Sequence, residues 1–351
     1  MDDAEREARR LKREAWAADN LGRQTRVMDD LGGRAADPLG WLAVRRQASS
    51  YLRHLQSWQR SKGFTGIHAM LDAHEAGLRD WVGQAEAALV GVDADERRDA
   101  ESRLGIRLAV IGKGGAGKTV ISSTVARMLA RRGRNVLASD MDVNPGLSYS
   151  VGLKGRDVTM PLEVLEENPG AAYGWQLRQD VLPREVVEKH TVVGPDGVRV
   201  TSLGKIGEID KESAKRTVVA MIQTLLGFGE PEWDVIGDLE AGPTTPFERY
   251  HAFADDVVVV VGPAWRSGMT ARRLLPMVGE GRSTTIVANR FRDEPDHPGL
   301  APHIRIPFDD EVAEAERLGL SPIDECPDSP TVKAIEQVVE LFVSQSQEVS
   351  V

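Results

Sequence analysis

The chain has 351 residues and a net charge of −10, from 44 Lys and Arg against 54 Asp and Glu. At roughly 100–200 residues per domain this length predicts two domains, and a 41% share of hydrophobic residues is enough for real cores. No run reaches the roughly 20 apolar residues of a membrane span, and the opening MDDAEREARRLKREAW has no apolar signal core. The single Cys326 allows neither an internal disulfide nor a cysteine-only zinc site. The expectation is a cytoplasmic protein in a reducing compartment.

The first hundred residues read as helical. The segment 2–21 carries mixed charges and good helix formers. Leu39, Leu42, Leu52, Leu55 and Trp58 make a loose apolar stripe. Ile67, Met70, Leu71, His74, Leu78, Trp81, Ala85 and Leu89 make a stricter one at three- and four-residue steps. Breaks are expected at Gly32-Gly33, Asp37-Pro38 and Gly63. The polar segment 92–105 reads as a linker or a last exposed helix. Residues 1–105 are therefore expected to form an all-α region that docks a partner or regulates the rest.

After residue 105 the texture changes. Short apolar β-rich runs at 107–111, 135–139, 234–239, 256–261, 284–288 and 303–306 alternate with helical stretches. Five valines in a row, 257–261, suit a strand covered on both faces. Strands alternating with helices predict a doubly wound α/β domain with a mostly parallel sheet over 106–351. This region carries −9 of the net charge. An acidic body is a poor match for a phosphate backbone and argues against nucleic acid as a partner.

Residues 112–119 read Gly-Lys-Gly-Gly-Ala-Gly-Lys-Thr and satisfy GxxxxGK[ST], the phosphate-binding P-loop. An apolar strand precedes the loop and a helix-like segment follows it. Gly112, Gly114, Gly115 and Gly117, with Ala116 between them, let backbone N–H groups converge on phosphate oxygens without side-chain clash. The start of the following helix, Thr119-Val120, adds its positive end. Lys118 is placed to reach the β- and γ-phosphates, and the Thr119 hydroxyl to help hold Mg²⁺.

With Lys113 included, KGGAGKT resembles the deviant Walker A loop of the MinD/ParA/NifH/ArsA group of ATPases. The resemblance covers about residues 106–343. It implies a SIMIBI-class P-loop ATPase that binds Mg·ATP as a homodimer, with Lys113 reaching across to the nucleotide of the other subunit. Asp140-Met141-Asp142-Val143-Asn144-Pro145 resembles the group's first acidic switch. By that resemblance Asp142 orients the attacking water and Asp140 supports the Mg²⁺ shell. Asp238-Leu239-Glu240-Ala241-Gly242 resembles the second switch, with Asp238 binding Mg²⁺ through water. Asn289 is implied to hydrogen-bond adenine, and Pro307-Phe308-Asp309 to close over the base.

Within the group, the segment 238–242, the segment 262–273 and Ala288-Asn289-Arg290 look most like the CooC-type ATPases, which mature carbon monoxide dehydrogenase. The chain departs from that type in two ways. It has no Cys-x-Cys pair for a transition metal, and its P-loop follows a hundred-residue extension. Lys113, Lys118 and Asp142 are the expected catalytic residues of a slow, partner-dependent ATPase switch. A ParA- or MinD-like positioning ATPase that binds DNA or membrane, and a scaffold that binds ATP without cutting it, are the alternatives. Against the first stands an opening helix whose basic residues, Arg6, Arg9, Arg10, Lys12 and Arg13, are nearly cancelled by acids. The tail 334–351 carries several glutamates and is expected to be a packing helix, not a lipid anchor.

Overall fold

The computed structural model describes residues 3–59, 67–142, 145–154, 159–171, 174–203, 211–242, 250–278 and 281–348. The expected break at Gly63, the Val143-Asn144 step of the first acidic loop and the last three residues of the tail lie outside the described residues.

All six expected runs are strands of one sheet. They are β1 (Arg107–Gly112), β2 (Asn135–Met141), β7 (Trp233–Leu239), β8 (Asp256–Val261), β9 (Ser283–Phe291) and β10 (Ile304–Pro307). Two short strands, β5 (Val192–Val193) and β6 (Arg199–Ser202), extend one edge. The order is β10-β9-β8-β1-β7-β2-β6-β5, parallel throughout except where β5 meets β6. Strands β3 (Leu165–Glu167) and β4 (Trp175–Leu177) form a separate antiparallel pair. The valines of β8 are buried along the run, as a sheet covered on both faces requires.

The parallel arrangement brings the carboxyl ends of the central strands to one edge. Register then decides which residues meet there. Val110 pairs with Asp238, and Asp140 pairs with Asp238 in the neighbouring ladder. Residues in register across adjacent strands project to the same face, so the two aspartates stand side by side.

The helices are α1 (Asp3–Arg34), α2 (Pro38–Gln59), α3 (His68–Leu89), α4 (Ala94–Arg103), α5 (Lys118–Arg131), α6 (Leu147–Val151), α7 (Pro183–Lys189), α8 (Lys211–Gly227), α9 (Trp265–Leu274), α10 (Asp310–Arg317), α11 (Pro322–Glu325) and α12 (Pro330–Glu348). No helix among the described residues is long and apolar enough to cross a membrane. On α12, Val332, Ile335, Val338, Val339 and Phe342 are buried in the core around the sheet. The apolar face of the tail helix is thereby used internally.

Of the N-terminal breaks expected within the described residues, one changes and one holds. Helix α1 runs through Gly32-Gly33, because Gly32 lets the Trp81 ring of α3 lie against its backbone. The break comes at Asp37-Pro38, where Asp37 Oδ1 accepts the Gly40 N–H at 2.8 Å and proline fills the first helical position.

The chain forms two compact units, and their boundary differs from a single cut near residue 105. The first comprises Met1–Leu104, Pro161–Lys189 and Lys211–Pro231, and the second Gly105–Met160, His190–Asp210 and Glu232–Val351. Two excursions from the α/β half thus join the N-terminal helices. The reason lies in distant polar and backbone contacts. Gln47 Nε2 donates to Leu226 O at 2.8 Å, Asn168 Nδ2 to Asp19 Oδ2 at 2.9 Å, and Arg34 pairs with Glu230 at 2.7 Å. At Gly170 the backbone passes so close to Lys12 O that a Cβ has no room.

Candidate nucleotide-binding site

The loop between β1 and α5 is held by its glycines. Gly115 and Gly117 have φ of 77° and 90°, a region in which side-chain-bearing residues are strained. A Cβ at Gly112 would meet Val260 O at 2.5 Å, and one at Gly117 would collide with the Asn289 amide. Ala116 N–H donates to Lys113 O at 3.1 Å and closes the turn. Gly117 is the N-cap of α5 and offers no side-chain cap. The first-turn N–H groups of α5 have no intrahelical acceptor. Together with the helix dipole they form a ready anion cradle.

Lys118 is buried at the start of α5, and its charge is felt by Asp238 and Glu240. Thr119 Oγ1 donates to Asp238 Oδ2 at 2.6 Å. Ser122, one turn on, has its hydroxyl 2.9 Å from Lys118 O and 3.3 Å from Asp238 Oδ1; its one proton serves one of the two. Val120 is buried in the hydrophobic core and contributes only its backbone to the loop. Lys113 is half-buried, with Nζ 3.4 Å from Gly114 O.

Three acids flank the loop. Asp140 is fully buried and accepts the N–H groups of Asp142, Gly146 and Leu147 at 2.8–3.0 Å. Burial, then the Asp238 carboxylate, push its pKa well above the ordinary range despite those bonds. Burial also raises Asp238, with Asp142 adding to it, while Lys118 and the Thr119 and Ser122 hydroxyls oppose the rise. Glu240 is half-buried and raised by desolvation and by Asp142. Gly242, with φ of 99°, donates its N–H to Gly112 O at 3.2 Å and ties the second acidic loop to the first strand.

Three of the expected residues make intrachain contacts that the sequence did not imply. Asn289 is buried, and its Nδ2 donates to Ala116 O at 2.7 Å, so its amide N–H braces the P-loop. Pro307 ends β10, and its carbonyl accepts the Thr331 hydroxyl at 2.8 Å. Asp309 caps α10, accepting from Glu311 N–H at 2.9 Å and Val312 N–H at 3.3 Å. Cys326 is buried, and its Sγ donates to Pro322 O at 3.2 Å. Ser122, Glu240 and Arg290 belong to the site and were not singled out by sequence. Ser122 was findable from its one-turn spacing after Lys118, and Glu240 from its place in the acidic motif. Arg290 entered the sequence reading only as part of the CooC-like segment Ala288-Asn289-Arg290, with no role of its own.

The profile of the CobQ/CobB/MinD/ParA nucleotide-binding domain matches residues 108–323. The chain belongs to this family. An uncharacterised ATP-binding protein of Methanocaldococcus jannaschii is 27% identical over 258 residues, covering 68% of this chain and 98% of its own. The carbon monoxide dehydrogenase accessory protein CooC of Rhodospirillum rubrum is 26% identical over 246 residues, covering 63% and 91%. Among solved structures, the septum site-determining protein MinD of Pyrococcus horikoshii, complexed with Mg-ADP, matches with a TM-score of 0.54 at 17% identity. That match covers 71% of this chain and 99% of MinD, and it supports the fold. The mostly parallel sheet with flanking helices is thus that of a MinD/ParA-type P-loop protein, and this is an ATP-binding family.

The residues present fit a magnesium nucleotide. Among the described residues of the site, two buried carboxylates with raised pKa values and one half-buried glutamate outnumber the one buried lysine, Lys118. Phosphate beside them needs a further cation. Mg²⁺ in such sites takes one or two protein ligands and fills its shell with phosphate oxygens and water. No group of three or more His, Cys, Asp or Glu that could by itself hold a metal ion occurs among the described residues.

Proposed function

We propose that this protein is an ATP-hydrolysing dimeric switch that couples nucleotide state to a partner or cargo. One arrangement carries the reading: the glycine cradle at the start of α5, with Thr119 bonded to Asp238 at 2.6 Å and Lys118 buried beside it. Such a cradle suits phosphate, and the acids beside it support a phosphoryl-transfer reading.

Each group has a task. The loop N–H groups hold the α- and β-phosphates, and Lys118 neutralises charge on the β- and γ-phosphates. Thr119, with Asp238 and Asp140 behind it, would hold Mg²⁺, which would supply positive charge to offset that of the phosphates. Asp142 orients the attacking water. Lys113, half-buried with a weak contact to its own loop, reaches the nucleotide of a second copy. Gly242 N–H, now on Gly112 O, exchanges that partner as the second acidic loop follows the γ-phosphate. The helical unit carries partner specificity. The reading extends to no thiolate-bound metal cargo, since Cys326 is buried and the chain has no second cysteine.

The test is light scattering on an Asp142→Ala variant with and without Mg·ATP, beside hydrolysis assays of wild type and Lys118→Ala. The expected results are dimers held by ATP and hydrolysis that Lys118→Ala abolishes. Lys113→Ala is expected to lose both dimer and turnover. Monomers under every nucleotide condition refute the switch.

A further inference from the structure

The end of strand β9 is irregular at a telling place. In the ladder with β10, Asn289 pairs with Ile306 and Phe291 with Pro307, so Arg290 is the extra residue of a β-bulge. Its φ is 65°, in the left-handed region that an arginine rarely occupies. Of the other such non-glycine residues among those described, Lys154 sits in a turn and Asp196 in the short 3-10 segment Pro195–Gly197.

The bulge has a consequence for direction. Consecutive residues of a regular strand point to opposite faces. Here two consecutive side chains bond two consecutive carbonyls of one loop. Asn289 Nδ2 donates to Ala116 O at 2.7 Å, and Arg290 Nη1 to Gly115 O at 3.2 Å. The other arm of the guanidinium is ion-paired with Glu316 on α10. Glu316 is raised by desolvation and held down by Arg290, as a carboxylate half out of water beside one cation should be.

A trans peptide points its C=O and N–H in opposite directions. Drawing Ala116 O toward Asn289 therefore turns the Gly117 N–H the other way. Drawing Gly115 O toward Arg290 likewise fixes the Ala116 N–H, which closes the turn on Lys113 O. The glycine at 117 is required by the same brace, since a Cβ there would meet Asn289 and lie 3.2 Å from Arg290 Nε.

We infer that Arg290 is a positioning residue of the phosphate loop: the β-bulge brings its guanidinium between Gly115 O and Glu316, and so presets the loop N–H groups for a nucleoside diphosphate moiety. This rests on the nucleotide-binding reading of the site. The loop cradles the α- and β-phosphates, so the effect falls on ADP and ATP alike.

The experiment is calorimetric titration of the full chain with Mg·ADP and with Mg·ATP, together with thermal melting. The variants are Arg290→Ala, Arg290→Gly, Arg290→Lys and Glu316→Gln. Arg290→Ala is expected to weaken both nucleotides about tenfold, the worth of one charge-assisted hydrogen bond. Arg290→Lys recovers little, because one ammonium does not span both acceptors. Glu316→Gln keeps an acceptor and loses about threefold, a fraction of the same bond. Arg290→Gly relieves the positive φ, so it melts higher than Arg290→Ala while binding equally weakly. Arg290→Ala affinity within twofold of wild type overturns the inference, as does an affinity order that follows the melting order. Wild-type protein that takes up neither nucleotide overturns the underlying reading and this inference with it.

Discussion

Replacing Gly117 by alanine isolates the geometry on which phosphate binding depends. The position has φ of 90°, and a Cβ there would run into the Asn289 amide. Holding an alanine in the left-handed region costs about 1–2 kcal/mol. Displacing Asn289 forfeits its bond to Ala116 O, a neutral bond worth about 1 kcal/mol. The loop relaxes more easily than the sheet beneath it, so the 2–3 kcal/mol, at about 1.4 per decade, emerges as roughly a 30- to 150-fold loss of affinity. Gly115→Ala is the internal control. Its φ is 77°, and no atom lies within 4 Å of the added Cβ. Only the backbone cost applies there, about tenfold. Titration with Mg·ADP reads both variants. Equal losses refute the Asn289 brace, and a loss under threefold at Gly117 refutes the claim that the preset loop governs affinity.

Asp234 accepts Ile106 N–H at 2.7 Å and Arg134 Nε at 2.6 Å with no exposure of its own, so it anchors β7 beside β1. Asp234→Ala breaks a buried pair and should cost about 3 kcal/mol, or about 6–12 °C in melting temperature; a shift under 2 °C contradicts the assignment. His74 is largely buried, and burial lowers its pKa from 6.5. The unfolded chain then takes up the proton first, so stability holds above about pH 6.5 and falls as pH drops through that value toward the folded pKa. Urea midpoints at pH 7.5 and 5.5 test this, and His74→Gln should flatten the difference. Gly170→Ala forces a Cβ onto Lys12 O and should cost about 1–3 kcal/mol, read as an earlier denaturation midpoint. Removing Mg²⁺ with EDTA should weaken ATP more than tenfold, because Asp140, Asp238 and Glu240 then face phosphate with Lys118 as the buried counter-charge; unchanged affinity shows that the acids do not hold a metal.

The strands legible in the sequence are those whose signal is local. Five valines in β8 or the apolar run of β1 announce burial whatever lies beside them. Strands β5 and β6 have two and four residues, and only the edge left open by β2 makes them strands. The excursions at 161–189 and 211–231 were hidden for the same reason. Their partners on α1 and α2 lie more than 140 residues away, as with Asn168 and Asp19 or Gln47 and Leu226. Gly32 shows the opposite error. A glycine pair reads as a stop, yet one member is a packing residue that admits an indole ring.

The site divides along the same line. A P-loop is legible because strand, glycines, lysine and hydroxyl are consecutive and the chemistry constrains each. At Asp309 two local signals coincide. It follows a strand end, where ligands gather, but it also precedes Asp310 and Glu311 at a helix start, where a carboxylate satisfies N–H groups that otherwise have no acceptor. The cap operates within three residues and needs no ligand. Arg290 was illegible because its role depends on a bulge, and a bulge is a mismatch in length between two strands, not a property of either one. Its guanidinium joins Gly115, 175 residues earlier, to Glu316, 26 residues later. Motif residues thus report the chemistry of the loop. The residues that hold the loop in shape are selected by distances that arise only when β9, β10 and α10 have assembled around it.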